Sequence, residues 1–144
     1  MIVAQNGILR DDAVCSLVVD QDQRLVRLTW KGMVPGAVYR EVLLQVLDTI
    51  TLNGLHYWLS DSRQMGAILH EETQWTNEVF SPRLIRTGLR RVAVVNSTDF
   101  IHQMAAQRMV AEAPPDVPYE IAFFDTLQDA ETWLLRERTM RVVG

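Results

Sequence analysis

The chain has 144 residues, 48% of them hydrophobic, and a net charge of −4 spread over dispersed acids and bases. That length supports one well-formed core rather than two domains. With no broad positive field to attract DNA, RNA or an anionic membrane, the composition excludes nucleic acid as a partner.

The single cysteine, Cys15, has no internal partner for a disulfide and falls in a strand-like run, where a free thiol behaves as a small hydrophobe. Residues 1–12 show no basic start followed by a long apolar region, and no window approaches the length of a membrane span. A cytoplasmic protein with no membrane span is expected.

Residues 1–13 mix polar residues with isolated aliphatics and read as a loose arm or a short edge strand. The runs 14–19 and 25–30 are rich in strand formers. Asp20-Gln21-Asp22-Gln23 between them has hairpin length, so the two should pair antiparallel. Gly32 to Gly36, with Pro35 inside, breaks the second strand. Tyr39, Val42, Leu43, Val46, Leu47 and Ile50 then recur at helical spacing, and Gly54 is placed to close that helix in the left-handed conformation. His56 to Leu59 read as a buried strand that opens at Asp61-Ser62-Arg63 into a short polar loop running to Gly66.

Glu71 and Glu72 suit a helix N-terminus, Trp75, Val79 and Phe80 continue its stripe, and Pro82 should kink or interrupt it. Residues 91–95 form a continuous apolar strand of the sheet interior. Asn96-Ser97-Thr98-Asp99 supplies N-cap chemistry for a helix bearing Phe100, Ile101, Met104, Ala105, Met109 and Val110, which Pro114-Pro115 stops. Tyr119 to Phe124 is the last strand. Thr126 and Asp129 have capping-box spacing ahead of a helix with Ala130, Trp133 and Leu134. The tail, 136–144, shows little periodicity.

The order β-β-α-β-α-β-α-β-α predicts one α/β domain over residues 14–135, a mixed and mostly parallel sheet of about five strands with about four helices. If successive strands lie side by side with right-handed crossovers, the sheet steps in one direction. It then lacks the switch-point crevice that dinucleotide enzymes use, which predicts a shallow site or none.

This order, with Asp61-Ser62-Arg63-Gln64-Met65-Gly66-Ala67-Ile68-Leu69 after the middle strand, resembles the STAS family, the anti-sigma-factor antagonist fold. The family's loop reads Asp-Ser-Ser-Gly-Leu-Gly before its aliphatics, and a partner kinase phosphorylates the second serine. Asp61, Ser62, Met65 and Gly66 fit that pattern, whereas Arg63 stands in the place of the phosphorylated serine and Gln64 in that of the next glycine. The chain is also similar to bacterial STAS-like proteins related to the CRAL-TRIO lipid-transfer fold. It shares with them Leu28-Thr29-Trp30-Lys31-Gly32, Trp58-Leu59-Ser60-Asp61-Ser62-Arg63, Trp75, Pro82, Gly88 to Val94, and Phe124-Asp125 with Trp133-Leu134. The resemblance implies a regulatory module working through a protein partner or a homodimer, or a carrier of a small apolar ligand or lipid in a groove between helices and sheet.

The candidate binding residues are Asp61, Ser62, Arg63, Gly66 and Trp75. Asp61 and Arg63 read either as a small site for an anion or partner, with Arg63 as the fork-shaped donor, or as a pair that caps a turn. Ser62 is the candidate for phosphorylation, against a hydroxyl bonded to nearby backbone. Trp75 either anchors a dimer, lines a pocket, or is a packing residue. His56, His70 and His102 lack the short spacings of a metal pair, no phosphate-cradling glycine loop is present, and neither a metal nor a cofactor is expected. An enzyme using Asp61 and Arg63 would need a deep pocket there, and non-enzymatic binding is the expected activity.

Overall fold

The computed structural model describes residues 5–113 and 116–136. Six strands form one sheet in sequence order: β1 (Gly7–Asp11), β2 (Cys15–Asp20), β3 (Leu25–Gly32), β4 (Tyr57–Met65), β5 (Arg91–Val95) and β6 (Glu120–Phe124). The first three pair antiparallel, and β3 to β6 are parallel. The sixth strand is β1, part of the expected arm. It joins the sheet edge through Ile8↔Val18 and Asp11↔Ser16, and Asp12 accepts backbone N–H bonds from Val14 and Cys15 to close the turn behind it. As expected, the sheet never reverses direction.

The helices are α1 (Gly36–Asn53), α2 (His70–Trp75), α3 (Ser81–Leu84), α4 (Phe100–Ala111) and α5 (Leu127–Leu134). Between α2 and α3 the backbone makes a π-helical turn, Thr76–Phe80, so 70–84 is one helical segment that widens in its middle. Pro82 does not break it, because it follows directly on the π-helical turn, where the hydrogen-bond register already shifts, with Ser81 N–H donating to the Thr76 carbonyl. Gly54 takes φ 58° and closes α1 in the left-handed region, where a side chain would be strained. Asp99 caps α4 by accepting from the N–H groups of Ile101 and His102, and Thr126 caps α5 by accepting from Asp129 N–H. Pro114-Pro115, much of the tail and the first residues of the arm lie outside the described residues. Among the described residues, no helix is long and apolar enough to cross a membrane.

Strand alternation sorts the core onto two faces. One face carries Cys15, Leu17, Val26, Leu28, Trp30 and Trp58 under α1 and the 70–84 segment. The other carries Tyr57, Leu59, Ala93 and Val95, covered by Ala130 and Leu134 of α5.

The polar stretch after Leu59 is not a loop. β4 stays paired with β3 as far as Gly32↔Met65, although β5 leaves it at Asp61↔Val95. Between those points β3 advances from Thr29 to Lys31 while β4 advances from Asp61 to Gln64, which is a bulge of one residue on β4. The bulge reverses the alternation, so Met65 lies on the same face as Trp58 and Ser62 while Arg63 and Gln64 are both exposed.

The 70–84 segment is fixed to α1 by a partly buried ion pair. Arg40 Nε donates to Glu72 Oε2 at 2.6 Å, its guanidinium lies 5.4 Å from the Trp75 ring centre, and Glu72 is buried. Gly36, at the start of α1, leaves the room that this carboxylate occupies. A Cβ there would stand 2.5 Å from Glu72 Oε1. Gly→Ala in a helix ordinarily stabilises by up to about 1 kcal/mol, but Gly36→Ala should have the opposite sign. It and Glu72→Ala should each lower the unfolding free energy in urea by about 1–3 kcal/mol, and the double variant by less than the sum.

Candidate functional site

Trp58, Ser60 and Ser62 alternate along β4 and face the same side of the sheet, and above them the helices do not close. A cavity of ≈ 250 Å³ lies between this face and the layer formed by α1, the 70–84 segment and α4. Its floor is Trp30, Trp58, Ser60, Ser62, Met65 and the inward residues of β5 and β6. Its walls are Tyr39 and Leu43 of α1, Thr76, Asn77 and Phe80 of the π-helical turn, and His102, Ala106 and Met109 of α4. Val94, Ile121 and Phe123 face inward yet are only half-buried, because space rather than packed helix lies over them. This corrects the expectation of a shallow site or none. A one-directional sheet has no crevice at a switch point, but it can still hold a cavity under helices that stand off one face.

The cavity exists because α4 is held at its two ends. At its start, Ser97 Oγ donates to the carbonyl of Met65 at 2.7 Å, Thr98 N–H donates to that of Arg63, and His102 Nδ1–H donates to that of Gly66 at 2.8 Å. Near its end, Asn77 Nδ2 of the π-helical turn donates to the carbonyl of Met109 at 3.0 Å. Between these ties α4 presents the small Ala106 to the cavity. The apolar residues of α4 therefore divide between two faces: Phe100 is 70% and Ile101 66% exposed, and His102 and Ala106 are the buried positions.

The lining is apolar in bulk and polar along one line. The Phe80 ring meets Trp58 edge to face at 5.9 Å and stacks at 6.2 Å on Trp75, which backs the wall without lining the cavity. The Tyr39 hydroxyl shares a 2.9 Å hydrogen bond with Thr76 Oγ1, and burial pushes its pKa up to about 12. Trp58 Nε1 is buried without a hydrogen-bond partner among the described residues, a departure that costs about 1–3 kcal/mol.

The residues that the sequence singled out divide between two faces of β4. Asp61 is buried and turned away from the cavity. Its carboxylate accepts from Arg63 Nε at 2.9 Å and Nη2 at 2.7 Å, a two-pronged pair within one strand end, and the Arg63 side chain keeps 46% of its surface exposed. Ser62 is 3% exposed and lines the cavity, so a kinase would reach its hydroxyl only if the end of β4 or α4 opened. Gly66 contributes its carbonyl to His102. The structure therefore does not gather Asp61, Ser62, Arg63, Gly66 and Trp75 into one pocket. His102, Ser60, Trp58 and Phe80 belong to the cavity and were not candidates from sequence. The period-2 series Trp58, Ser60, Ser62 carried a signal, whereas nothing in the sequence near His102 points to Gly66.

The model of the SpoIIAA-like family matches residues 25–135 of the chain. The fold is similar to the crystal structure of an uncharacterised protein with a SpoIIAA-like fold from Shewanella loihica, at 17% identity and a TM-score of 0.56 over 93% of this chain and 98% of that one. At that identity the likeness is one of fold. No curated protein matches the sequence.

Burial holds the pKa of His102 below its ordinary 6.5, opposed in part by the Gly66 carbonyl and the Asp99 carboxylate. The unfolded chain binds a proton at this ring that the folded chain does not. The stability it contributes is therefore complete above the unfolded pKa and is lost as pH falls below it. Tm should fall between about pH 7.5 and 5.5, and less steeply in His102→Asn; equal slopes in a thermal-melt series would contradict this assignment.

Proposed function

The chain belongs to the SpoIIAA-like family, and we propose that it is a non-enzymatic STAS-like binding module that holds a small apolar molecule between its sheet and its helices. The observation that carries this reading is the cavity of ≈ 250 Å³ between the sheet and its covering helices. An apolar cavity of about 150 Å³ accepts benzene, so this one has room for about ten non-hydrogen atoms. Its walls are aromatic and aliphatic, and none of the residues lining it is Asp, Glu, Lys or Arg. Asp61, Arg63 and Ser62 do not converge on a reacting position. Asp61 is consumed by Arg63 on one face while Ser62 lies on the other, which supports binding over catalysis.

Ala106 gives a direct test. Ala106→Leu adds side-chain volume within the cavity and should keep or raise Tm. Naphthalene, with ten non-hydrogen atoms, should raise the Tm of the unsubstituted chain with increasing concentration and leave Ala106→Leu unchanged. No shift in either, or the same shift in both, would oppose the reading.

A second reading, a protein partner or a homodimer contacted at the end of β4, has its own support. Phe100 and Ile101 are largely exposed on the first turn of α4, and the Thr98 bonds to the Arg63 carbonyl place that turn beside the exposed guanidinium. In sedimentation velocity this reading predicts a dimer that Phe100→Glu converts to monomer. A monomer in both would remove the self-association form of it.

A further inference from the structure

The cavity has a polar end. Ser60 and Ser62 are buried residues that line it, and among the described residues the buried side-chain atom left without a hydrogen-bond partner is the Trp58 indole N–H. Two serines in series on one strand give the open volume a line of hydroxyls to which another molecule can bond. His102 adds a third group. Its Nδ1 faces the Gly66 carbonyl at 2.8 Å, and a carbonyl only accepts, so the proton is on Nδ1. Burial favours the neutral ring, in which Nε2 is an acceptor. Ser62 and His102 both line the cavity, and β4 runs on from Ser62 towards the Gly66 carbonyl that holds the imidazole.

The set is thus two hydroxyls, which donate or accept, one nitrogen that accepts only and the Trp58 N–H, which donates only, with no Asp, Glu, Lys or Arg in the lining. Resting on the ligand-binding reading above, we infer that the ligand is an uncharged amphiphile with a hydroxyl head: its O–H donates to His102 Nε2, its oxygen accepts from Ser62, and its tail lies against Trp58, Phe80 and Leu84. An ionised carboxylate offers only acceptors, so it would set negative charge against the Nε2 lone pair with no cation nearby. A pure hydrocarbon such as naphthalene fills the apolar volume but gives these polar groups no partner, so it binds more weakly than a hydroxyl-bearing molecule of the same size.

Three probes of matched length test this on the full chain: 1-octanol, its isomer heptyl methyl ether, which lacks the donor, and octanoate. Binding is read from the fluorescence of Trp30 and Trp58, which line the cavity. The decisive quantity is the Kd of the ether divided by the Kd of the alcohol, because probe hydration cancels when that ratio is compared between variants. Relative to the unsubstituted chain, the ratio should fall about tenfold in His102→Leu, the worth of one hydrogen bond. It should fall in the same direction in His102→Phe, which keeps the test decisive if His102→Leu does not fold. A ratio unchanged by both substitutions overturns the head-group assignment while leaving an apolar ligand in place. Octanoate binding more tightly than 1-octanol overturns it as well. No binding of either neutral probe to the unsubstituted chain overturns the ligand-binding reading itself.

Discussion

The end of β4 is the constraint on which the rest of the site depends. This strand continues past its neighbour β5, bulges, and leaves the carbonyls of Arg63, Met65 and Gly66 free of a sheet partner on that side. Buried carbonyls need donors, and these take them from Thr98, Ser97 and His102 at the start of α4. One irregularity thus places a helix. Because α4 is bound to a strand end and to the π-helical turn rather than pressed onto the middle of the sheet, the space beneath its centre stays open.

The same arrangement accounts for the polar groups inside the site. A closed apolar core would disfavour Ser60, Ser62 and His102, and a large-to-small change in such a core costs a few kcal/mol. Here the serine hydroxyls and the unpaired Trp58 N–H lie within or against an open volume, where a bound molecule can bond to them. Closed packing lies beside the cavity, where Val42, Val46 and Ile50 of α1 cover Cys15, Leu17, Val26 and Leu28, and on the α5 face, where Ala130 and Leu134 are fully buried.

Much of the fold was legible because its signals are local. The β2–β3 hairpin follows from alternation and a four-residue polar connection, the end of α1 from Gly54, and the starts of α4 and α5 from Asp99 and Thr126, whose side chains bond within three residues. The errors arose where the determining contact is distant in sequence. Asp61 to Gln64 read as a loop because a strand with a buried carboxylate and a bulge loses its alternation, while the pairing that keeps it a strand comes from β3, about thirty residues away. His102 carried no signal, since its partner Gly66 lies 36 residues earlier. The scattered apolar residues of α4 gave no single inward stripe, so the exposure of Phe100 and Ile101 and the burial of His102 emerge only from the assembled fold. The STAS resemblance drew attention to the end of β4, where Ser62 faces the cavity and Asp61 does not.

The most direct measurement of the central claim is native mass spectrometry of the chain purified gently from its own cells. A cavity that holds a ligand predicts a folded species heavier than the 16.5 kDa polypeptide by a molecule of about ten non-hydrogen atoms, with the extra mass released on denaturation. The bare polypeptide mass under both native and denaturing conditions would contradict it.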